Sequence, residues 1–428
     1  MKTALVLAGG GARGAYQVGA YRALLEMGYS FDIITGASVG ALNGAMIASG
    51  KSELLYKLWN EITTEKVIDC IMDIDEQALD VERKATKILF KKAMANQCID
   101  QSPLRELIER MLDIDALYDS TVEFGLTTAK YPSFTPVELF KNDIPKELMV
   151  DYLMASSACF PAMKPYIVDG CKYVDGGYFD SMPINLAIKA GAKQVIAIDL
   201  QSFGAVKKQK DKSIPVKIIS PRENLGHMLM FSQARSQRLF KLGYNDTLKV
   251  FGVYDGWRFT FKPHAFDALS DAYPEHASTL RSIWLPMNSS GDAAEKRILS
   301  AAATCMEKAT SKETIEKGWL YAAADMAGSA FLLDSTAIYT EDEYIEALLA
   351  RFDEVCMPSL EGIGYRALLY RLLTTTDERI VIKMLYEEMK NSVQTGDKRL
   401  ILNTSLIFKL MPKLIIATFM LLIDTVRS

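Results

Sequence analysis

The sequence contains few histidines, no closely spaced cysteine pair and no long uninterrupted apolar segment. Three histidines occur in 428 residues, and the six cysteines are scattered. Because neither a CxxC pair nor a Cys/His spacing is present, we predict reduced thiols and no metal site or disulfide framework. The most apolar stretch, residues 400–423, is interrupted by polar residues and a proline, so only residues 414–423 run without interruption. That is about half of a membrane span, which favours a buried or interfacial helix over a spanning one.

The chain also lacks a strong excess of charge of either sign. Its formal net charge is -4 and no long block of Lys or Arg occurs, so nucleic acid is not a predicted partner. The apolar run at residues 1–8 ends at Gly9, which is too short for a signal peptide, and we expect a cytoplasmic protein. Residues 83–92 carry five positive charges around an apolar centre. This segment is either a solvated helix face or an interfacial helix, so peripheral membrane contact is an open alternative.

The first half of the chain alternates short β-branched runs with helical stretches, which is typical of a parallel sheet covered by helices. Predicted strands are residues 3–7, 31–35, 122–130, 137–140, 166–168, 171–174, 194–200 and 216–220. Predicted helices are residues 14–27, 39–49 and 146–156, one that begins at Ser102, and a long one from about Leu225.

After about residue 250 this alternation stops, and residues 293–310, 315–333, 341–355 and 365–389 are predicted helices. A chain of 428 residues exceeds what one hydrophobic core usually organises. We therefore predict an α/β domain over residues 1–250 and a mainly helical accessory region over residues 251–428.

Ser38 lies in the sequence Gly36-Ala37-Ser38-Val39-Gly40, between a predicted strand and a predicted helix. This is the pattern of a nucleophile elbow, in which a serine occupies a sharp turn that exposes its hydroxyl. Gly36 and Gly40 are needed because the turn brings backbone segments together where a side chain would clash. The string alone is weak evidence, but its position between a strand and a helix of small residues strengthens it. We predict Ser38 as a nucleophile.

A second glycine-rich turn, Gly9-Gly10-Gly11-Ala12-Arg13-Gly14, follows the first predicted strand at a helix N-terminus. Backbone N–H groups in such a loop can face one concavity, and the helix dipole adds positive charge, so the loop suits an anion. In an acyl-transfer enzyme that anion is the oxyanion of the tetrahedral intermediate. We predict Gly10 and Gly11 as the donors, with Arg13 holding the loop or an anionic head group.

The same loop matches GxGxxG, the pattern of a dinucleotide-binding turn. That alternative requires an acidic residue near the end of the second strand to bind the ribose. Asp32 lies at the beginning of that strand instead, and the far end carries Ser38. The dinucleotide alternative is therefore disfavoured.

A serine hydroxyl needs a base that removes its proton before it can attack. His227 would give the order Ser, Asp, His of α/β-hydrolases, but that fold places its elbow after several strands, and here the elbow follows the second. A carboxylate acting directly on Ser38 is therefore favoured. Asp175 follows a predicted hairpin and precedes Gly176-Gly177, although an Asp-Gly pair by itself is more often a turn residue.

The glycine loop, the GASVG elbow and Asp175-Gly176-Gly177, in this order, resemble the patatin-like phospholipase family. Residues 155–162 (ASSACFPA) are similar to the stretch that leads into the family's aspartate, and the resemblance covers about residues 1–250. It implies a three-layer α/β/α fold, hydrolysis of acyl esters of glycerolipids or phospholipids, and no cofactor. Cys159-Phe160 departs from the family pattern, in which small residues or another proline are common, and this bears on pocket shape.

Carried over to this sequence, the resemblance implies that Ser38 is acylated while Asp175 accepts its proton. The backbone of Gly10, Gly11 and Ala12 would hold the oxyanion, and water activated by Asp175 would release the fatty acid. Two alternatives stay open: a lipid- or acyl-binding regulatory protein with little turnover, and an acyltransferase or thioesterase that uses the same two residues. The first is motivated by residues 251–428, in which no chemical motif is found.

Overall fold

The computed structural model describes residues 2–67, 99–272, 319–357 and 374–395, together with residues 370–371, 413–414, 417–418 and 420–421. The predicted basic segment 83–92 and the predicted helix 293–310 lie outside these ranges. The chain divides into two compact units, Met1–Val250 and Phe251–Ser428.

The first unit is built around a sheet of eight described strands. These are β1 Thr3–Leu7, β2 Ile33–Ala37, β3 Glu123–Lys130, β4 Thr135–Phe140, β5 Tyr166–Val168, β6 Cys171–Asp175, β7 Gln194–Ile198 and β8 Val216–Ile219. The spatial order is β5-β6-β3-β2-β1-β7-β8, and β4 pairs with β3. Strands β3, β2, β1, β7 and β8 run parallel, whereas β4 and β6 pair antiparallel with β3, and β5 pairs antiparallel with β6.

Helices cover both faces of this sheet. They are α1 Gly14–Glu26, α2 Val39–Ala48, α3 Ser52–Glu61, α4 Thr64–Val67, α5 Ser102–Met111, α6 Ile114–Asp119, α7 Met149–Ser156, α8 Ile184–Lys189 and α9 Gln233–Val250. Ile33 shares a core cluster with residues of α8, whereas its neighbour Ile34 lies against Gly44 of α2. Because successive strand residues point to opposite faces, α8 and α2 belong to opposite layers. The predicted three-layer α/β/α arrangement is confirmed.

The second strand begins and ends two residues later than the predicted 31–35. Asp32 is exposed and its carboxylate accepts a hydrogen bond from the Thr3 N–H (2.8 Å), so it lies at the entry to the strand. Gly36 and Ala37, by contrast, are buried and pair with β3. The strand therefore continues directly into Ser38.

The long helix predicted from Leu225 is wrong in its start, because α9 begins at Gln233. The guanidinium of Arg235 donates to the carbonyl oxygens of Leu225, His227 and Met230 at 3.0, 2.7 and 2.8 Å. These carbonyls therefore turn toward one side chain instead of following a helix axis. Residues 225–230 form a loop wrapped around Arg235.

Strand β3 positions the ends of two other strands next to each other. At Thr127 it pairs with Ala37 of β2, and at Thr128 it pairs with Asp175 of β6. Strand β4 pairs with both of these β3 residues, so β2 and β6 must both lie on the other side of β3. The two strands meet end to end, which brings Ser38, the residue after β2, to the last residue of β6.

The second unit is mainly helical in its described part, as predicted. Its described helices are α10 Asp267–Ala272, α11 Trp319–Ala330, α12 Glu341–Asp353 and α13 Glu378–Thr395, and β9 Thr260–Phe261 pairs with β10 Ile338–Tyr339. The predicted helix 365–389 is wrong as one element, since residues 375–377 are not helical and Asp377 accepts the Arg379 N–H (2.9 Å).

The described residues of the apolar stretch 400–423 are helical, and four of them belong to the core of the second unit: Leu414, Ala417, Met420 and Leu421. This face of the stretch is therefore buried within the protein. Within the described ranges, no helix has both the length and the apolar character that crossing a membrane requires.

Candidate active site

Ser38 occupies the sharp turn between β2 and α2. Its backbone has φ 53° and ψ -130°, a conformation that residues with a side chain rarely adopt. A β-carbon at Gly36 would lie 2.4 Å from the Gly40 backbone, and one at Gly40 would lie 2.1 Å from the Leu7 carbonyl oxygen. Both glycines are thus required sterically, and the turn has the geometry of a nucleophile elbow.

The strained turn is held by Ser156, the last residue of α7. The Ser38 N–H donates to the Ser156 Oγ (3.0 Å), and the Ser156 hydroxyl donates to the Thr127 carbonyl oxygen (2.8 Å). Two residues further on, the Ala158 carbonyl accepts the N–H of Asp175 at 2.9 Å. One short segment therefore contacts the backbones of Ser38 and Asp175. Sequence reasoning missed Ser156, and the only signal for it was its place in the ASSA stretch.

The Ser38 side chain lies beside the Asp175 carboxylate and lowers its pKa. Oδ1 of Asp175 accepts the N–H of Gly177 at 2.7 Å. Burial raises the pKa of Asp175 to about 6, and the Gly177 hydrogen bond and the Ser38 side chain limit this rise. A carboxylate with a pKa near neutrality, beside a serine side chain, meets the requirements for a general base. Gly176 is required here, because a β-carbon would lie 2.3 Å from the Thr127 carbonyl oxygen.

The glycine loop lies against Ser38, since a β-carbon on Gly9 would be 3.4 Å from the Ser38 Cβ. Four of its N–H groups already donate to backbone carbonyl oxygens: Gly9 to Ser181, Ala12 to Met228, Arg13 to Gly10 and Gly14 to Gly11. The predicted participation of Ala12 as an oxyanion donor is therefore incompatible with its hydrogen bond. In the part of the chain that the structure describes, the N–H groups of Gly10 and Gly11 have no acceptor.

Arg13 holds the glycine loop in place. Its Nε donates to the Gly226 carbonyl (2.7 Å), and its Nη1 donates to the carbonyls of Leu200 and Gln201 (3.2 and 2.7 Å). These contacts tie the loop to the segment after β7 and to the loop around Arg235. Of the two roles predicted for Arg13, the contacts fit anchoring of the loop.

An apolar cavity begins at Ser38 and Gly11. It encloses about 900 Å³, including space open to solvent at its mouth. Its walls come mainly from aliphatic and aromatic side chains of α2, α3, α5 and α7, such as Leu42, Met46, Trp59, Leu107 and Leu153. Such a wall suits a hydrocarbon chain and offers little to a polar ligand.

Cys159 lines this cavity, which locates the departure from the family pattern at the pocket wall. Burial raises the pKa of its thiol to about 12, with the nearby Asp175 charge adding to the shift. The thiol is therefore protonated at neutral pH, and it contributes volume to the wall without acting as a nucleophile.

A buried chain of side-chain hydrogen bonds lies behind the elbow, and sequence reasoning missed it. Trp59 Nε1 donates to Asn43 Oδ1 (3.0 Å), and Asn43 Nδ2 donates to Gln17 Oε1 (2.9 Å). Gln17 Nε2 in turn donates to the carbonyl of Ala8 at 2.7 Å, one residue before the glycine loop. These bonds join α1, α2 and α3. The available signal was the presence of polar residues within helix stretches otherwise made of small residues.

Neither of the two described histidines, His227 and His264, lines the cavity. His227 is in the loop around Arg235, where its Nδ1 accepts the Leu229 N–H (3.2 Å). His264 pairs with Asp267 in the second unit, and His276 lies outside the described residues. Across residues 2–67, 99–272 and the other described segments, no cluster of three or more His, Cys, Asp or Glu side chains could hold a metal ion.

Comparison with known proteins gives a family and several relatives. Residues 5–188 match the family described as patatin-like phospholipase. Patatin-like phospholipase domain-containing protein 7 of Rattus norvegicus is 31% identical over 201 residues, which cover 46% of this chain and 14% of that protein. Lysophospholipase NTE1 of Scheffersomyces stipitis is 27% identical over 198 residues, covering 46% and 12%. This chain thus matches about one seventh or less of the length of these curated relatives.

Among solved structures, VipD from Legionella pneumophila aligns over 98% of this chain and 90% of its own, with a TM-score of 0.39 and 13% identity. The family match carries the assignment, because residues 5–188 include the elbow, the glycine loop and the Asp175 motif in the order described above. Residues 5–188 of the chain therefore match the patatin-like phospholipase family.

Proposed function

We propose that the protein is a serine lipid acyl hydrolase that cleaves acyl esters of glycerolipids or phospholipids. One observation carries this proposal: Ser38, on a strained elbow, lies beside the buried carboxylate of Asp175 and lines an apolar cavity. The carboxylate provides a base, and the cavity provides a site for an acyl chain. The relatives named as phospholipase and lysophospholipase point to the same substrate class.

In the first half of the proposed reaction, Ser38 Oγ attacks the ester carbonyl carbon while Asp175 takes the hydroxyl proton. Negative charge moves to the carbonyl oxygen, and the N–H groups of Gly10 and Gly11 donate to it. The tetrahedral intermediate then collapses, the C–O bond to the alcohol breaks, and Asp175 returns its proton to the leaving alkoxide. The acyl group stays on Ser38 with its chain in the cavity.

In the second half, a water molecule attacks the acyl-enzyme while Asp175 accepts its proton. Collapse releases the fatty acid and returns the proton to Ser38. A raised pKa suits this cycle, because Asp175 must accept and release a proton twice per turnover near neutral pH. If an alcohol replaces the water, the same acyl-enzyme gives the acyltransferase alternative. If a thioester replaces the ester substrate, it gives the thioesterase alternative.

The test is hydrolysis of a lipid mixture and of a water-soluble short-chain ester by purified protein. We expect Ser38→Ala and Asp175→Asn to lower kcat by at least about 10⁴-fold, because each removes a reacting group. His227→Ala is the matched control and should retain activity. Retained hydrolysis in Ser38→Ala contradicts the proposal, whereas loss in a folded His227→Ala variant would replace the two-residue mechanism with a triad.

The regulatory alternative predicts a different result in the same assay. A lipid-binding protein without turnover would retain acyl chains in the cavity but would release no fatty acid above the Ser38→Ala background. Lipid recovered from the wild-type protein, together with wild-type hydrolysis at the level of that variant, would favour this alternative.

A further inference from the structure

The loop between β7 and β8 exposes an unusual combination of side chains. Phe203 is 81% exposed and Val206 is 54% exposed. Lys207, Lys208, Lys210 and Lys212 follow within six residues, and all four are exposed. We call residues 203–212 the docking loop. It places apolar and cationic side chains together in water, although single exposed apolar residues are common on protein surfaces.

The backbone of the docking loop is fixed on its inner side. The Ala205 N–H donates to the Gly177 carbonyl (2.9 Å), and the Ala205 carbonyl accepts the Ser181 N–H (2.6 Å). The Lys207 N–H donates to Oδ1 of the buried Asp180 at 3.2 Å. Further along, Asn185 of α8 binds the Lys208 carbonyl (3.1 Å) and the Lys210 N–H (2.9 Å).

These bonds hold Phe203 and Val206 on an ordered backbone with their side chains in solvent. A loop with a preorganised backbone loses little backbone conformational entropy when it binds, which favours a binding role over a random exposed residue. None of Lys208, Lys210 and Lys212 forms an ion pair with a carboxylate of the described residues. The carboxylate of Asp211, the acidic residue among them, accepts hydrogen bonds from the N–H and hydroxyl of Ser213.

The docking loop adjoins the proposed reaction centre on two sides. Gly177, which accepts the loop's Ala205 N–H, donates its own N–H to the Asp175 carboxylate. Ser181, which donates to Ala205, accepts the N–H of Gly9 from the glycine loop. Ser202, immediately before the docking loop, donates its hydroxyl to the Gly9 carbonyl oxygen. A surface bound by the docking loop would therefore lie beside Ser38.

We infer that the docking loop binds an anionic lipid surface, and this inference rests on the proposed lipid hydrolase function. Phe203 and Val206 enter the boundary between head groups and acyl chains, while the lysines contact lipid phosphates. The combination selects the partner. An acidic protein or a nucleic acid would need only the lysines for its attraction to the loop. A membrane uses both the lysines and the exposed apolar side chains.

The inference is tested by sedimentation with vesicles of phosphatidylcholine, with and without phosphatidylglycerol. The Ser38→Ala protein is used throughout, so that no lipid is hydrolysed. Replacing Phe203 and Val206 by Ser should weaken binding to the anionic vesicles by about tenfold or more. Replacing Lys208, Lys210 and Lys212 by Gln should weaken it by on the order of a hundredfold at low salt, because each lysine near an anionic surface contributes about fivefold.

Matched controls are Leu332→Ser, a residue that is 73% exposed in the second unit, and the triple change of the exposed Lys57, Lys241 and Lys262 to Gln. These controls should bind vesicles as the parent does. Equal binding by the docking-loop variants and the controls would overturn the inference. Loss of binding to polyglutamate with unchanged vesicle binding would also overturn it, in favour of an acidic protein partner.

A second readout separates this inference from the proposed function. With Ser38 restored, the docking-loop variants should hydrolyse a water-soluble short-chain ester at the wild-type rate and lose hydrolysis of vesicle lipids. Failure of the wild type to hydrolyse the soluble ester would contradict the proposed function and leave the vesicle-binding result unaffected. Loss of soluble-ester hydrolysis in the variants alone would contradict a role limited to docking.

Discussion

Ser38 lies on a strained turn beside the buried carboxylate of Asp175. The carboxylate would be more stable in water, and its burial is what raises its pKa to about 6. A base with an ordinary aspartate pKa would be ionised at neutral pH but would hold a proton weakly. Burial therefore destabilises the charged form of Asp175 and increases its affinity for a proton.

The pKa of Asp175 predicts how activity depends on pH. Below about pH 6 the carboxylate is protonated and cannot accept the Ser38 proton, so kcat/KM for a soluble ester should fall about tenfold per pH unit. Above this value it should reach a plateau. The measurement is kcat/KM across the acid range with an uncharged ester. A profile that stays flat down to about pH 4, the ordinary range of an aspartate, would contradict the assigned base.

The same pKa predicts that Asp175 lowers stability at neutral pH. A folded-state pKa above the unfolded value means that the native protein binds the proton more tightly. The resulting contribution to the free energy of unfolding is fully present at low pH and is lost as pH rises from about 4 to about 6. Asp175→Asn should therefore raise the free energy of unfolding by on the order of 1–3 kcal/mol at about pH 8, with little gain at about pH 4. Urea unfolding at both pH values checks this. A loss of stability at the higher pH would contradict it.

At the residue scale, the sequence predicted Ser38 from local logic, because its GxSxG string lies between a predicted strand and a predicted helix of small residues. Asp175 needed the ensemble of motifs, since an Asp-Gly pair is compatible with an ordinary turn. Ser156 could not be predicted, because its function depends on the Ser38 N–H and the Thr127 carbonyl, which only the fold brings within reach.

At the scale of elements, β3 acts as the common neighbour that aligns the ends of β2 and β6. The segment that begins at the last residue of α7 then contacts both ends. Ser156 holds the Ser38 N–H, and the Ala158 carbonyl holds the Asp175 N–H. Backbone contacts therefore fix the relative positions of Ser38 and Asp175.

Ser156→Ala should lower kcat by about 10- to 100-fold with little change in KM. The substitution leaves the buried Ser38 N–H and the Thr127 carbonyl without their partner, at a cost of about 1–3 kcal/mol. Ser49→Ala is the matched control, since it removes a buried hydroxyl at the other end of α2 that bonds only the Met46 carbonyl among the described residues. Steady-state kinetics with a soluble ester distinguish the two variants. Equal kcat in both would show that Ser156 has no positioning role.

The strands and most helices of the first unit follow from periodicity, yet two boundaries do not. Asp32 looked like strand because Phe31 and Ile33 flank it, but its carboxylate binds the Thr3 N–H and places it outside. The segment after Leu225 looked helical because its side chains are apolar. Arg235 donates hydrogen bonds to its carbonyl oxygens. Such a contact between a loop and a later side chain does not change the periodicity of the sequence, so the pattern could not reveal it.

At the scale of the whole molecule, each unit has core clusters of its own among the described residues. The core of the second unit is formed by residues from Phe259 to Leu421, and the cores beneath the sheet of the first unit draw only on residues before Val250. All residues assigned here to the reaction and to the docking loop lie in the first unit. We therefore keep residues 1–250 as the proposed catalytic domain and leave residues 251–428 without a chemical role.

A fragment of residues 1–250 should fold and hydrolyse a water-soluble ester with kcat/KM within about tenfold of the full chain, because it contains the complete site and its own core. Circular dichroism checks the fold, and steady-state kinetics check the activity. A folded but inactive fragment would contradict the domain assignment and would give the second unit a part in catalysis.

Labelling by a fluorophosphonate probe tests the central claim most directly. The probe reacts with a serine only when a base activates its hydroxyl, and mass spectrometry identifies the modified residue. We expect one adduct, on Ser38, in the wild-type protein, and strongly reduced labelling in Asp175→Asn at the same probe concentration. No adduct on Ser38, or equal labelling of Ser38 in Asp175→Asn, would contradict the claim.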